Sequence, residues 1–388
     1  MIIYLAVFSF MCLTAYWGMV RFRSKKKQEA EYYAAGNIDL PAHRNDGRSI
    51  GLFWAVVSFS LLIFFVGMRS GFGDTPAYIS SFNAFSLDTN PLEIFKSDSD
   101  QKGYDLLLFI FKKYISSDYT VFFMALAIFQ GLAVVKLYYK FSCDFLMSAF
   151  LFMASASFTW MMNGLRQFLA VCIILFFFDY IVDRKFWKFL IVLFVAFSVH
   201  ESAIVWLPVY FIVAFEPWSF KIWACVAATL VLVFVLDQYT NLFDDSALQD
   251  MEYMSTMLNY NNGQDDGVNP IRVAIAGVPA VLAFLCRKKI KEINDPLVNI
   301  CVNLSVVGAG IYVVGVVTSG IMVGRIPIYF TLLNYVLLPW LIEKVLTGKT
   351  KIAIKILCYV FYLIYFAYSF YYSGEHAYYS DYLRLSFQ

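Results

Sequence analysis

Charge is the scarcest commodity in this sequence. Asp, Glu, Lys and Arg make up 15% of its 388 residues, against a hydrophobic share of 61%. Soluble domains carry about 25% charged and about 45–50% apolar residues, so a soluble globular fold is excluded and the chain reads as an integral membrane protein. Histidine is rarer still: His43, His200 and His376 lie far apart in the chain, which argues against a histidine metal site. The seven cysteines, Cys12, Cys143, Cys172, Cys225, Cys286, Cys301 and Cys358, are scattered, mostly through apolar runs, without a C-x-x-C pair. Neither a zinc site nor a disulfide framework is expected from that pattern. No long basic arm and no basic-aromatic soluble domain is present, so nucleic acid is excluded as a partner. The polar loops also lack a G-x-G-x-x-G stretch, and no soluble nucleotide-binding domain interrupts the apolar pattern.

What fills the chain is apolar runs edged with aromatics, which make up 19% of the residues and suit lipid-facing helices with interfacial belts. Met1 to Val20 is about long enough to span a bilayer. It has neither a basic n-region nor a small-residue cleavage site, so it is expected to stay as a helix. Arg21-Phe22-Arg23-Ser24-Lys25-Lys26-Lys27 follows directly. By the positive-inside rule that run is cytoplasmic and the N-terminus faces out. Gly51 to Met68 then returns outward. Further spans are expected near Tyr119–Leu137, Asp144–Trp160, Leu165–Val182, Phe186–Val199, Ala203–Phe215, Phe220–Leu236, Ile271–Leu285, Leu297–Val317, Ile326–Ile342 and Ile356–Tyr372. The expected fold is all-α and polytopic, with about twelve transmembrane helices in a single membrane domain and both termini extracytoplasmic. Two outer loops are expected, at about 69–118 and 237–270. The first should carry an amphipathic helix near Tyr104–Tyr114 along the interface. The second holds Asp244, Asp245, Asp250, Glu252, Asp265 and Asp266 with no Lys or Arg before Asn269, and reads most simply as a solvated acidic face. Of 30 Lys and Arg, roughly 21 fall in the loops placed inside and roughly 9 outside, the bias that the rule requires.

Several costly polar residues then collect on the outer side. Arg69 ends the second span inside Gly67-Met68-Arg69-Ser70-Gly71-Phe72-Gly73-Asp74-Thr75-Pro76-Ala77-Tyr78. Glycines let backbone N–H groups approach a ligand closely, and arginine carries a fixed charge on a fork that fits phosphate oxygens. By itself the stretch also reads as a snorkelling arginine at a helix-end turn. Asn163-Gly164-Leu165-Arg166-Gln167 occupies an outer helix junction, His200-Glu201-Ser202-Ala203 a tight outer hairpin, and Gly324-Arg325 another outer helix start. Each has a plain structural explanation as a cap, a satisfied turn histidine or an interfacial anchor. Together, three arginines and a histidine on the outer leaflet side point to an anionic ligand whose tail lies in the bilayer, such as a lipid-linked phosphate or pyrophosphate.

These residues also carry a family resemblance. The Gly-x-Arg…Gly-Asp-Thr-x-x-Tyr stretch at Gly67–Tyr78, Asn-Gly-Leu-Arg-Gln at Asn163–Gln167 and His-x-Ser-Ala at His200–Ala203 resemble the EpsG/Wzy-like family of bacterial exopolysaccharide and O-antigen polymerases. The resemblance covers roughly Met1–Phe215 and is diffuse afterwards, where Gly324-Arg325 and the helical pattern remain similar. Gln101-Lys102-Gly103-Tyr104 departs from it, since an acidic residue is expected before the Gly-Tyr. The resemblance implies a glycosyltransferase of GT-C-like architecture in the bacterial plasma membrane. It joins undecaprenyl-pyrophosphate-linked oligosaccharides on the extracytoplasmic side and needs no nucleotide sugar or other cofactor. A flippase and a chain-length regulator are the partners it implies besides the bilayer.

Under that reading Arg69, Arg166 and Arg325 hold the pyrophosphate, with Asn163, Gln167 and Glu201 among the ligand-binding residues. His200 or Asp74 activates the acceptor hydroxyl, and Glu201 and Glu93 are reserve bases. Tyr78 and Trp160 stack on sugar rings or belong to the interfacial belt. An obligatory metal is not expected. A transporter or flippase of lipid-linked oligosaccharide, a ligase moving finished glycan to another acceptor, and more distantly a membrane acyltransferase remain open alternatives.

Overall fold

A computed structural model describes residues 2–35, 49–87, 91–96, 101–239, 267–318, 320, 323–372 and 377–387. The acidic stretch from Asp244 to Asp266, together with His43 and His376, lies outside the described residues. Helical segments overlap each of the expected spans, some of them only in part. Among the described residues five helices are long and apolar enough to cross a membrane: Ile3–Gln28, Tyr119–Phe141, Pro296–Val316, Ile328–Val345 and Gly348–Tyr371. Pro270–Leu285 followed by Arg287–Ile293 qualifies as a pair bent by 68°. Leu52–Gly67, Phe145–Ala154, Leu165–Phe176, Phe186–Val199, Glu201–Ile212 and Phe220–Val231 are apolar but only 10–17 residues long, below the roughly 20 that a perpendicular crossing needs. The chain is a multi-pass membrane protein.

The helices begin where the sequence supplies caps. Asp118 accepts from the Thr120 N–H at 2.8 Å and Asp144 from the Met147 N–H at 3.1 Å. Asn269 and Asp295 cap the helices whose first residues are Pro270 and Pro296. An Asp or Asn followed by Pro at the first helical position suits a helix start twice over.

Two expectations need correcting. The first helix, α1, does not stop at Val20 but runs from Ile2 to Ala35 through the whole basic run. Lys, Arg, Gln, Glu and Ala are all strong helix formers, and no Gly or Pro interrupts them after Gly18. The segment expected as an outer loop at about 69–118 holds helices besides the amphipathic one expected in it. After α2 (Leu52–Gly67) it folds into α3 (Thr75–Ala84), α4 (Pro91–Lys96) and α5 (Lys102–Tyr114). The amphipathic helix expected at Tyr104–Tyr114 is α5, whose buried face is Tyr104, Leu108, Phe109 and Phe111. Its Lys112 Nζ donates to the carbonyls of Phe82, Asn83 and Phe85 at 2.8–3.0 Å, closing the C-terminal end of α3. A cation there satisfies orphan carbonyls and complements the helix dipole.

Contacts divide the chain into two compact units. The first comprises Met1–Ile204 and Leu346–Gln388. In it α2 packs against α1 and against α6 (Tyr119–Phe141), and α7 (Phe145–Ala154) packs against α1. Then α8 (Leu165–Phe176) lies between α6 and α10 (Phe186–Val199), with the short α9 (Asp179–Val182) joining α8 to α10. The second unit, Val205–Val345, holds α11 (Trp206–Ile212), α12 (Phe220–Tyr239), α13 (Pro270–Leu285), α14 (Arg287–Ile293), α15 (Pro296–Val316) and α16 (Ile328–Trp340). Here α15 is central, packing against α12, α13 and α16. Its Asn303 donates to the Phe215 carbonyl at 2.7 Å.

The long α17 (Gly348–Tyr372) returns to the first unit. Beyond it, β1 (Tyr378–Ser380) and β2 (Leu385–Phe387) form an antiparallel hairpin with Tyr379 opposite Ser386. This hairpin is the one addition to an otherwise all-α fold among the described residues.

Candidate functional site

The site begins where α2 ends. Arg69 is 1% exposed. Its Nη1 donates to the Val66 carbonyl at 2.7 Å, an orphan acceptor of the last helical turn, and its Nε to Thr75 Oγ1 at 3.1 Å. The guanidinium carbon lies 4.4 Å from the centroid of the Phe123 ring on α6. Its Nη2 is buried and has no hydrogen-bond partner among the described residues. Burial pulls the Arg69 pKa down to about 10, which leaves it charged at neutral pH. A desolvated cation held by one carbonyl, one hydroxyl and one ring, with no carboxylate partner among the described residues, is costly.

Two tyrosines link Arg69 to Arg166. Tyr78 on α3 and Tyr104 on α5 both face the half-buried Arg166, whose guanidinium carbon is 5.6 and 5.7 Å from their ring centroids. Tyr104, 3% exposed, lies within electrostatic range of both arginines. Burial raises the pKa of each tyrosine, and in both the nearby Arg166 opposes the rise. Both hydroxyls therefore stay protonated and able to donate.

Asp74 and Asn163 complete this side. Asp74 sits half-buried just before α3, whose first turn its carbonyl closes through Ala77 and Tyr78. Beside it, Gly73 adopts φ 47°, and a Cβ there would fall 2.9 Å from Asn163 Cγ. The position thus needs glycine for its backbone and for the approach of the Asn163 loop. Asn163 Oδ1 is buried without a partner among the described residues.

A second cluster lies on the loop after α10. His200 Nδ1 is 3.3 Å from the Ser202 backbone N–H, which can only donate, and 2.8 Å from Ser202 Oγ. Nδ1 is therefore the acceptor and the ring proton of a neutral His200 sits on Nε2. Gln167 Nε2 in turn donates to Ser202 Oγ at 3.3 Å. Gln167 follows Arg166 directly, so one turn of α8 holds both clusters.

Four other expected residues are distributed over both units. Glu93 is exposed on α4, with no contact to the cluster among the described residues. Glu201 is half-buried at the start of the 3₁₀ turn Glu201–Val205, and Trp160 half-buried in Ser157–Met161. Arg325 belongs to the second unit, in the turn just before α16, and is half-buried. No group of three His, Cys, Asp or Glu side chains is placed to hold a metal ion among the described residues.

Sequence reasoning missed the strap on the arginine loop. Tyr378 in β1 is fully buried, stacks on Phe65 with centroids 3.9 Å apart, and donates to the Phe65 carbonyl at 2.9 Å. Ser380 Oγ donates to the Met68 carbonyl. The N–H groups of Ser70 and Gly71 both donate to the Tyr379 carbonyl, at 2.9 and 3.0 Å, and Tyr379 N–H returns a bond to Gly71 at 3.1 Å. A Cβ on Gly71 would fall 1.8 Å from the Tyr379 ring. Every residue from Met68 to Gly71 except Arg69 is thus tied to the hairpin, and Arg69 is pinned from within.

A family model described as "EpsG family" matches residues 52–383. The chain belongs to the EpsG family. EpsG is a Wzy-like polymerase family, and membership points to a polysaccharide polymerase of the Wzy type. The match reaches well beyond the first 215 residues that carry the motifs. It begins after α1 and takes in β1, the strand that ties down the Arg69 loop, ending at Leu383 in the turn before β2. No curated protein and no solved structure gives a significant match.

Proposed function

We propose that this EpsG-family chain joins oligosaccharide repeat units carried on undecaprenyl pyrophosphate at the extracytoplasmic face of the bacterial plasma membrane. The observation that carries the reading is Arg69: a buried cation with a spare N–H group and no carboxylate partner among the described residues, coupled through Tyr104 to the more accessible Arg166. Such an arrangement is balanced by an anion, and arginine forks match phosphate oxygens.

In the transfer the acceptor hydroxyl attacks the anomeric carbon. A glycosidic C–O bond forms, the C–O bond to pyrophosphate breaks, and the lipid pyrophosphate leaves with its electron pair. Arg166 makes the direct contact with the departing pyrophosphate. Arg69, sealed beneath it, supplies positive potential where negative charge develops, and such preorganised charge is worth most in a water-poor site. The Tyr78 and Tyr104 hydroxyls are further donors. Asp74 takes the acceptor's proton, because it is a half-exposed carboxylate beside Tyr78. His200 carries its proton on Nε2 and so donates rather than accepts there, with Ser202 and Gln167 holding it in that form. Asn163 and Glu201 are assigned to the sugars.

The test is an assay of the purified full-length protein with a matching undecaprenyl-pyrophosphate repeat unit, read by gel ladder and mass. A ladder that disappears in Arg166→Ala and Asp74→Asn supports the reading. Intact substrate moved across a vesicle membrane without a ladder makes the chain a flippase and overturns it.

A further inference from the structure

Within the second unit, the turn Glu216–Ser219 and the basic helix α14 enclose a pocket of about 270 Å³, lined by Glu216, Trp218, Ser219, Arg287, Lys288 and Lys291 among others. Its chemistry is one-sided. Lys291 pairs with Glu216 at 2.9 Å, which neutralises the one carboxylate named here. Neither Arg287 nor Lys288 meets a carboxylate among the described residues. Arg287 instead sits over the Phe284 ring at 4.4 Å and donates to the Phe284 carbonyl at 3.1 Å. Trp218 Nε1 and Ser219 Oγ are buried without hydrogen-bond partners among the described residues, an expense that a bound acceptor would remove.

The backbone adds an independent sign. Trp218 adopts φ 61°, a left-handed conformation that a bulky side chain takes only when its surroundings impose it. What the strain achieves is placement: the indole packs against Phe284 and Trp223, with centroids 5.1 and 5.8 Å away. The adjoining surface is apolar. Phe220 is 86% exposed and Leu285 69% exposed, one directly after Ser219 and the other two residues before Arg287. A free anion has no use for such flanks, whereas acyl chains do.

We propose that this pocket binds the phosphate-bearing headgroup of an anionic membrane phospholipid. Arg287 and Lys288 contact the phosphate, Trp218 Nε1 and Ser219 Oγ donate to headgroup oxygens, and the acyl chains lie along Phe220 and Leu285. The site is distinct from the arginine cluster of the first unit, and the proposal does not depend on the polymerase reading.

The experiment titrates purified full-length protein with phosphatidylglycerol or phosphatidylcholine and counts bound lipid by native mass spectrometry. Wild type should prefer phosphatidylglycerol, and Lys288→Gln, at an exposed position, should lower that affinity about five-fold. Brominated phosphatidylglycerol should quench a fluorescence component that Trp218→Phe removes. Equal binding of both lipids, or an unchanged preference in Lys288→Gln, overturns the proposal. Displacement of phosphatidylglycerol by millimolar inorganic phosphate would show a site for free anions and overturns the lipid assignment.

Discussion

Tyr378 stacks on Phe65 across 313 residues of sequence and closes the end of α2 from which Arg69 projects. Removing a fully buried aromatic ring costs about 3–5 kcal/mol. Tyr378→Ala should therefore lower the melting temperature of the purified protein and abolish polymer, although membrane insertion continues. Tyr378→Phe keeps the ring and loses the hydroxyl's bonds to the Phe65 carbonyl and Ser380, about 1–2 kcal/mol, and should keep most activity. Equal melting curves for Tyr378→Ala and wild type would show that the hairpin does not hold the loop.

Arg69 should matter to activity more than to folding. Arg69→Met keeps the apolar contact with Phe123 and removes a desolvated charge, an exchange that is often neutral for stability. We expect little change in thermal melting and a loss of polymer of at least about 100-fold, the scale of losing one preorganised charge-stabilising donor. A fully active Arg69→Met would leave the buried cation without a catalytic purpose.

Ser202 positions His200 without needing to touch substrate. Ser202→Ala should lower kcat and leave KM nearly unchanged, and Ser202→Thr, which restores the hydroxyl, should recover much of the rate. A rise in KM alone would place Ser202 in substrate binding instead.

Asp144 caps α7 and pairs with Lys355 of α17 at 2.8 Å while itself 5% exposed. Asp144→Ala breaks both and should cost about 3 kcal/mol, measured by thermal unfolding. Asp144→Asn retains an acceptor for the Met147 N–H and should cost roughly half as much. Identical losses would mean that the cap contributes nothing.

Sidedness can be read by cysteine labelling. Tyr382 is 71% exposed on the hairpin that binds the Arg69 loop, and Lys288 lies in the basic run of α14. In a background without native cysteines, Tyr382→Cys should react with an impermeant maleimide in intact cells and Lys288→Cys only after lysis. The reverse pattern would invert the topology drawn from charge bias.

The helices were legible because apolar runs and their caps are local signals: Asp118, Asp144 and Asp295 each stand one residue ahead of an apolar run. Arg69, Asn163, Arg166, Gln167 and His200 were legible because polar groups stand out against an apolar background, and the structure gathers them in two neighbouring clusters of one unit. Tyr104 stood in a recognised Gly-Tyr pair but was not named as a site residue, since one tyrosine among 27 carries no mark of its partner. Ser202 stood inside a recognised motif, but its bond to Nδ1 is a matter of loop geometry. The hairpin was invisible for a different reason. Tyr378-Tyr379-Ser380 is too short to announce a strand, and its partner at Gly71 is some three hundred residues upstream.

That separation also has a consequence in time. Ribosomes add about 5–20 residues each second, so roughly 15–60 seconds pass between synthesis of Phe65 and of Tyr378. Throughout that interval the arginine loop stands at the membrane without the strand that closes it. The nascent protein can thread its helices into the bilayer one after another, yet it acquires a finished arginine site only when the far end of its own message has been read. Translation order thus acts as a safety catch: a chain broken off at Tyr372 would carry both Arg69 and Arg166 and still be unarmed.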